Sequence, residues 1–443
     1  MFSDTINKRI EDRDFIIGII GLGYVGLPLL HTFHKSGFPV VGFDVDKSKI
    51  SSIQEGISYI KHFSKEDIQS LADSKRCKVT VDFSELLNVD AILICVPTPL
   101  NIYREPDMSY VESTTNTISK YLKKNQLIVL ESTTWPGTTD HLMKDILEKN
   151  SGLNAGVDFY LAYSPEREDP GNQDFNTQSI PKVVGASDQN SRKFAVSLYS
   201  SALDKVIPVS SAKVAEASKL LENIFRSVNI ALVNEMKIIM DAMGIDIHEV
   251  IEAAATKPFG FMKFTPGPGL GGHCIPIDPF YLSWKAKEYG LNTRFIELAG
   301  EVNNAMPQYV VDKTILALNS NKTALNGSNI LIIGIAYKPD VDDMRESPSF
   351  TIMDSLRNLG ASIDFYDPWI PKIPKSRQHM NWYGKESIEW NKETISGYDA
   401  IVIVTDHKIV NYNELLNWNK CIVDSRNIIS KLISGKHDNV FKA

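Results

Sequence analysis

The first 200 residues of the chain alternate between short apolar runs and longer segments of mixed polarity. The apolar runs occupy residues 15–20, 38–44, 91–96, 127–131 and 159–163. Runs of this length that are apolar on both faces are typical of buried parallel strands. Because helical segments separate them, the pattern predicts a doubly wound α/β sheet.

The pattern changes at residue 211. Residues 211–243 carry helical periodicity without a breaker, which is long for one globular helix and predicts a spine that links domains or packs a dimer. Strand-like runs return at 329–334, 364–367, 400–404 and 421–424, with a predicted helix at 349–359. The predicted fold is therefore α/β, with two Rossmann-like doubly wound domains joined by a long helical spine. We place the domain boundaries at 1–210, 211–325 and 326–443.

A glycine-rich turn follows the first predicted strand. Gly21, Gly23 and Gly26 occupy the positions for a tight turn, for close approach of a pyrophosphate and for close packing of helix on strand. The second predicted strand ends at Asp44, whose carboxylate suits the ribose hydroxyls of NAD and would repel the 2′-phosphate of NADP. The sequence therefore predicts an NAD site in residues 1–210, with Tyr24 and Val25 in the same turn.

Small polar residues follow the next three predicted strands. In a doubly wound sheet, the loops at the carboxyl ends of the strands line the ligand crevice. We therefore expect the loops that contain Pro97 and Thr98, Ser132 and Thr133, and Glu166 and Arg167 to contact cofactor or substrate.

Charge and cysteine usage limit the classes of function. The 443 residues carry a formal net charge of −7, which argues against binding to nucleic acid or to an anionic membrane. The four cysteines are far apart and form no metal-binding or disulfide pattern, as expected for a cytoplasmic protein. Cys95 and Cys421 lie in apolar runs and are predicted to be core thiols, and Cys77 opens another apolar, strand-like run. We find no signal segment and no membrane span.

The remaining cysteine, Cys274, stands in a glycine-crowded loop four residues before Asp278. By itself this pattern fits either a nucleophilic thiolate or an inert loop thiol. Lys219 and Asn223 are four residues apart and share one face of the predicted spine, where a lysine is most often solvated. An NAD domain, a second nucleotide-type domain and a thiol together suggest two successive oxidations, the second of which needs a nucleophile to add to an aldehyde.

The chain resembles the nucleotide-sugar 6-dehydrogenases, relatives of UDP-glucose dehydrogenase, from about residue 14 to the C-terminus. Within that family it most resembles the bacterial UDP-N-acetylglucosamine 6-dehydrogenase branch that serves surface-polysaccharide synthesis, including lipopolysaccharide O-antigen. The segments that carry the resemblance are residues 20–28, 163–167, 219–223, 271–278, 337–338 and 344–347.

This resemblance assigns roles to individual residues. Cys274 matches the nucleophile that forms a thioester, and Asp278 a carboxylate near the hydrolytic water. Lys219 matches a lysine that acts as general base or as partner of a developing alkoxide, and Asn223 matches a group that stabilises that oxyanion. Glu166 matches a residue for acid–base steps, and Thr133 a hydroxyl that positions water or the reacting oxygen. The other implied contacts are Arg345 to cofactor, and Arg167, Gly271, Tyr337, Lys338 and Arg426, together with Glu166, Lys219 and Asn223, to substrate.

The resemblance implies NAD as the cofactor, a UDP-sugar as the substrate, no metal, and a homodimer or higher homo-oligomer. Glucose-specific members have a lysine where this chain has Ile277, and a longer acidic motif after Glu166, so an N-acetylhexosamine is favoured over glucose. We expect UDP-N-acetylglucosamine, with the galacto and manno epimers and UDP-glucose as alternatives. Two rivals remain: a two-electron hydroxyacid or polyol dehydrogenase, and a non-catalytic nucleotide-binding module.

Overall fold

The computed structural model describes residues 2–443 except 61–62, 102, 168–176, 273–274, 377–378, 420 and 433–436. The chain forms two compact units. The first contains residues 1–223 and 280–292, and the second contains residues 224–279 and 293–443.

The first unit is built on one sheet of eight strands among the described residues, in the order β3-β2-β1-β4-β5-β6-β7-β8. The strands are β1 Ile17–Ile20, β2 Val40–Phe43, β3 Cys77–Thr80, β4 Ala91–Ile94, β5 Leu127–Leu130, β6 Tyr160–Tyr163, β7 Lys182–Gly185 and β8 Val206–Val209. Neighbours pair in parallel except β6 and β7, which are antiparallel. The predicted doubly wound sheet is confirmed, while β7 and β8 have no counterpart in the sequence-based prediction.

Helices cover both faces of this sheet. They are α1 Phe2–Glu11, α2 Gly26–Lys35, α3 Lys47–Gln54, α4 Lys65–Ala72, α5 Ser109–Ser119, α6 Lys144–Ser151 and α7 Gln189–Ser200, with a 3-10 helix Phe83–Asn88 and a π-helical turn Thr138–Met143. Every residue of β1 is buried, as are Leu27, Leu30 and Phe33 on the inner face of α2. Each such side chain contributes about 1.5–3 kcal/mol through its removal from water, which fixes α2 against the strand that precedes it.

Further helices follow β8 along the chain. They are α8 Ala212–Ala242, α9 Ile247–Ala255, α10 Asp278–Lys287 and α11 Arg294–Ser320. The predicted helix at 211–243 is thus confirmed almost to the residue, and the boundary between the two units falls within it. Across the part of the chain described here, no helix is both long and apolar enough to cross a membrane.

The second unit contains a parallel sheet of five strands in the described residues, in the order β10-β9-β11-β12-β13. Its remaining elements are β9 Asn329–Ile333, α12 Pro348–Asn358, β10 Ser362–Tyr366, α13 Lys392–Ile395, β11 Ala400–Ile403, α14 Leu415–Trp418, β12 Ile422–Asp424, α15 Ile428–Leu432 and β13 Val440–Lys442, with 3-10 helices Met380–Trp382 and Tyr412–Glu414. This order confirms the predicted second Rossmann-like domain. The sequence analysis predicted four of its strands and missed β13.

The turns that follow β1 and β9 have the same local geometry, with a glycine of positive φ in each. Gly21 (φ 92°) donates its N–H to the last residue of β2, and an added Cβ would lie 2.5 Å from the Cys95 carbonyl oxygen. Gly334 (φ 82°) donates to the last residue of β10, and its Cβ would lie 2.3 Å from the Thr405 carbonyl oxygen. Only glycine fits either position, because both the left-handed φ and the nearby carbonyl exclude a side chain.

Of the two predicted core thiols, Cys421 is buried and Cys95 is not fully so. β4 ends at Ile94, one residue before Cys95, so that side chain lies at the carboxyl edge of the sheet rather than within it. Cys95 is partly buried there and packs against the hydrophobic core of the first unit.

Candidate active site

The glycine turn after β1 has the shape that a pyrophosphate requires. An added Cβ at Gly26 would lie 1.9 Å from the Gly21 carbonyl oxygen, whereas an added Cβ at Gly23 would meet no atom within 4 Å. Gly26 is therefore needed for packing, and Gly23 faces open space. Because α2 begins at Gly26, the positive end of its dipole faces the same space, which suits phosphate oxygens. Tyr24 and Val25 form the turn between these two glycines.

Asp44 follows β2 directly and is buried. Its Oδ2 accepts the Leu22 N–H at 2.8 Å and the Lys49 ammonium at 2.9 Å, and its Oδ1 accepts the Asp46 N–H at 2.9 Å. The carboxylate thus holds the glycine turn in place. A carboxylate offers about four lone-pair directions, so Oδ1 keeps capacity for a ribose hydroxyl.

The loops after β4, β5 and β6 are tied together at one edge of the sheet. The Ser132 hydroxyl donates to the Val96 carbonyl at 2.7 Å, and the Glu166 N–H donates to the Glu131 carbonyl at 3.4 Å. Ser132 and Thr98 are buried, Thr133 is half-buried and Pro97 is exposed. The sequence-predicted residues of these three loops therefore gather at the carboxyl ends of their strands, as expected for a doubly wound sheet.

One turn of α8 joins this edge. The Arg167 guanidinium binds the Glu222 carboxylate at 2.8 Å, and Glu222 lies between Lys219 and Asn223 in sequence. Lys219 and Asn223 are 7% and 8% exposed, so this lysine is not on the solvated face that is usual for a helix. Within the described residues the Lys219 ammonium has no ion-pair partner, which leaves its charge available to an anionic ligand or oxyanion.

A buried charged cluster lies beside Glu166, and sequence reasoning missed it. Lys182, the first residue of β7, forms an ion pair with Glu131, and the Tyr199 hydroxyl donates to the same carboxylate. The Lys182 Nζ also lies 3.6 Å from Glu166 Oε2. Lys182 precedes the apolar residues of β7, and an isolated lysine at a strand end carries no signal that distinguishes it from a solvated one.

Cys274, the predicted nucleophile, and its neighbour His273 lie outside the described residues. The residues on either side belong to the second unit. The Gly272 N–H donates to the Arg345 carbonyl at 3.0 Å, and Asp278 is 1% exposed at the first position of α10, where a carboxylate suits the helix dipole. Both flanks of the cysteine segment are therefore held in place.

The glycines of this segment pack against protein. An added Cβ at Gly271 would lie 2.7 Å from the Tyr337 Cβ, and one at Gly272 would lie 2.8 Å from the Tyr337 ring. The structure gives them a packing role against Tyr337, one of the predicted substrate residues.

The predicted basic residues of the second unit lie near the same segment. The Arg345 guanidinium binds Asp343 through three contacts of 2.6–3.0 Å. Arg426 binds Asp406 at 2.9 Å, and its Nη1 would lie 2.7 Å from a Cβ added at Gly267. The Lys338 Nζ lies 5.8 Å from the Tyr337 ring centroid. Arg426 and Tyr337 thus adjoin the glycines that precede Cys274.

Two buried asparagines support the start of this segment, and the sequence did not reveal them. Asn234 Oδ1 accepts the Gly267 N–H at 2.9 Å, while its amide donates to Asn303 Oδ1 at 2.9 Å. Asn303 in turn donates to the Ser227 carbonyl at 3.1 Å. Buried amides paired in this way are costly to disturb, so α8, α11 and the loop are fixed together.

The described residues contain no group of three metal-binding side chains. The glycine turn, the α2 N-terminus and Asp44 fit a dinucleotide, since Gly23 leaves room for the phosphates and Asp44 stands beyond the strand end. The fold and these sites together define a two-domain nucleotide-dependent dehydrogenase.

Comparison with known proteins gives the family. Models of the UDP-glucose/GDP-mannose dehydrogenase family match residues 15–203 (NAD binding domain), 213–305 (central domain) and 331–431 (UDP binding domain). The chain belongs to this family and is an NAD-dependent nucleotide-sugar dehydrogenase.

Two relatives and one solved structure show how close this similarity is. The chain is 34% identical to the UDP-N-acetyl-D-glucosamine 6-dehydrogenase of Pseudomonas aeruginosa over 89% of its length and 91% of that protein. It is 35% identical to the UDP-N-acetyl-D-mannosamine dehydrogenase of Pyrococcus horikoshii over 94% of its length and 96% of that protein. The solved structure of a UDP-D-ManNAc dehydrogenase from Pyrococcus horikoshii superposes with a TM-score of 0.86 at 33% identity, over 97% of this chain and 99% of that one.

Proposed function

We propose that the chain oxidises the C6 hydroxymethyl group of UDP-N-acetylglucosamine to the carboxylate, with two NAD per sugar, in the cytoplasm and for surface-polysaccharide synthesis. The balance is R–CH2OH + 2 NAD⁺ + H2O giving R–COO⁻ + 2 NADH + 3 H⁺. The observation that carries this proposal is the buried Lys219, which has no ion-pair partner among the described residues and lies on the same turn of α8 as Glu222, whose carboxylate binds Arg167 in the loop of Glu166.

In the first oxidation a proton leaves the C6 hydroxyl as hydride leaves the carbon. NAD supplies the hydride acceptor. The Lys219 ammonium and the Asn223 amide stabilise the alkoxide that develops on the oxygen, which is effective because both groups are shielded from water. Glu166 and Thr133, at the carboxyl ends of β6 and β5, receive or relay the proton.

In the second oxidation the Cys274 thiolate adds to the aldehyde. The resulting thiohemiacetal loses hydride to become a thioester, and water then breaks the C–S bond to release the acid and the thiol. The buried Asp278 carboxylate orients that water.

The test is the number of NADH formed per sugar consumed, with UDP-activated glucose, N-acetylglucosamine, N-acetylgalactosamine and N-acetylmannosamine. We expect two NADH per sugar and a clear preference for N-acetylglucosamine. Cys274→Ser should stop formation of the acid, whereas the control Cys77→Ser, at the outer strand β3, should not. An unchanged yield of acid from Cys274→Ser, or one NADH per sugar, would contradict the mechanism.

UDP-N-acetylmannosamine is the second candidate substrate. The relative and the solved structure from Pyrococcus horikoshii both carry that name, at 35% and 33% identity, against 34% for the glucosamine enzyme of Pseudomonas aeruginosa. A preference for the manno epimer in the same panel would replace the glucosamine assignment and leave the mechanism intact.

We also propose that a second copy of the chain packs on α8. The exposed apolar residues Leu221, Phe225, Leu232, Ile239 and Met243 of this region recur at intervals that place them within about 40° of one another around a helix. Such a stripe is typical of a helix that is covered by a partner. Light scattering should give the mass of a dimer or its multiple.

A further inference from the structure

The antiparallel pairing of β7 with β6 places Lys182 opposite Glu166. Tyr163 pairs with Gly185, and the same register continued beyond β6 sets residue 166 against 182 and residue 167 against 181. Two contacts follow this register: Arg167 Nη1 donates to the Pro181 carbonyl at 2.7 Å, and Lys182 Nζ lies 3.6 Å from Glu166 Oε2. The pairing of the backbone therefore places the Lys182 side chain next to Glu166.

Lys182 stands between two carboxylates. Its Nζ forms an ion pair with Glu131, which is fully buried, and contacts Glu166, which is 13% exposed. Burial raises the pKa of Glu131, and Lys182 opposes that change. Burial lowers the pKa of Lys182, but the two carboxylates outweigh it and raise that pKa above its ordinary value, so the lysine remains an ammonium.

Other groups face this cluster from each neighbouring element. Tyr199, on α7, donates to Glu131 and has a raised pKa, chiefly because it is buried. Cys95, after β4, interacts electrostatically with Lys182 and Tyr199. Arg167 is committed to Glu222, and its N–H donates to Glu166 Oε1 at 2.6 Å. Of the two cations Lys182 and Arg167, Lys182 is the one whose charged group contacts both Glu131 and Glu166.

We infer that Lys182 is a positioning residue that holds the Glu166 side chain in place at the edge of the cofactor crevice, and that Glu131 competes with Glu166 for the same ammonium. The inference rests on the proposed function, in which Glu166 receives a proton during oxidation. Because Glu131 shares the Lys182 ammonium, its carboxylate limits how strongly Lys182 attracts Glu166. The two residues should act on Glu166 in opposite directions.

The test compares the pH profiles of kcat/KM for NADH formation in two variants. Lys182→Met removes the cation and should move the acidic limb up by about one pH unit, because two carboxylates then face each other unpaired. Glu131→Gln leaves the ammonium to Glu166 alone and should move the same limb down. Lys182→Arg, which keeps the charge, should restore the limb towards that of the parent chain.

A merely structural role would lower activity in both variants without opposite shifts. The matched control is Ser191→Ala, which removes the buried hydroxyl that accepts the Leu161 N–H at 3.1 Å, near the other end of β6. It should lower thermal stability without moving the limb. Shifts in the same direction for Lys182→Met and Glu131→Gln, or no shift in either, would overturn the inference.

A second readout does not need turnover. In the ligand-free Lys182→Met chain we expect folding to raise the pKa of at least one of the two carboxyl groups that face Lys182, because the ammonium is gone. A carboxyl group of this kind stabilises the fold while it is neutral, below its unfolded pKa, and that stability should be lost as pH rises through its folded pKa. The melting temperature of this variant relative to the parent should therefore fall as pH rises from 5 to 8, and adding Glu131→Gln should reduce that fall. An unchanged difference across this range would contradict the inference. Absence of turnover in the parent chain would instead defeat the proposed function.

Discussion

Two glycines of the NAD turn, three residues apart, should respond in opposite ways to one added methyl group. At Gly26 the new Cβ would lie 1.9 Å from the Gly21 carbonyl oxygen, so the α2 backbone must move. Overpacking of this kind costs about 1–3 kcal/mol and sometimes more. At Gly23 no atom lies within 4 Å and φ is not positive, so alanine should be neutral or stabilise by about 0.4–1 kcal/mol.

Binding of NAD should be weakened chiefly by the change at Gly23. The space in front of Gly23 is where we place the pyrophosphate, and a methyl group there would push phosphate oxygens away from the α2 amides. We expect the Kd for NAD to rise about 100-fold. At an NAD concentration of 100 Kd the parent chain gains about 2.7 kcal/mol of stability, whereas Gly23→Ala at the same concentration would gain only about 0.4 kcal/mol.

Thermal melts with and without NAD measure both effects in one experiment. Without NAD, Gly23→Ala should melt at or above the melting temperature of the parent chain, and NAD should raise its melting temperature only slightly. Gly26→Ala should melt at a lower temperature than the parent chain with and without NAD. Gly397→Ala is the control, because its Cβ would meet only Thr394 at 3.4 Å in the second unit. A normal NAD-induced shift in Gly23→Ala would refute the reasoning.

Four further predictions follow from single contacts. Asp44→Ser leaves the Lys49 ammonium without its carboxylate, so the ratio of NADP to NAD affinity, measured by titration, should rise at least about tenfold; an unchanged ratio would contradict this. Burial raises the pKa of Asp367, but His407 and the surrounding amides lower it below its ordinary value overall. The stability that Asp367 contributes above its unfolded pKa should thus be lost as pH falls through its folded pKa, and urea unfolding at pH 3–6 should show a flatter profile for Asp367→Asn. Asn234→Leu leaves the Gly267 N–H without its acceptor and should lower the free energy of unfolding in urea by about 1–3 kcal/mol. The rate of acid formation should fall more than the rate at which the first oxidation forms NADH. Equal losses in the two rates would exclude a role of Asn234 in fixing the cysteine segment. Leu232→Glu on the exposed stripe of α8 should yield monomers in light scattering, while Leu87→Glu, an exposed leucine outside α8, should not.

Local patterns were sufficient for much of this fold. The apolar runs, the glycine turn at Gly21–Gly26 and the uninterrupted periodicity of α8 each depend on near neighbours in sequence, and each was placed within about two residues. β7, β8 and β13 were missed although other strands of the same length were predicted. β7 has only two apolar residues, between Lys182 and Gly185, and the residues of β8 and β13 are not fully buried. Such segments carry too little of the pattern of a buried strand to be distinguished from loops.

By itself the sequence determined that this chain has an NAD fingerprint, a second nucleotide-type domain and a lysine and asparagine on one helical face. These features are periodic or follow fixed spacings. Only the tertiary structure decided that Lys219 is buried without an ion-pair partner in the described part of the chain, that the glycines before Cys274 pack on Tyr337, and that Lys182 contacts Glu131 and Glu166. Those contacts join residues up to 66 positions apart (Gly271 to Tyr337). They depend on sheet order and on the antiparallel turn at β6 and β7, which no local spacing encodes.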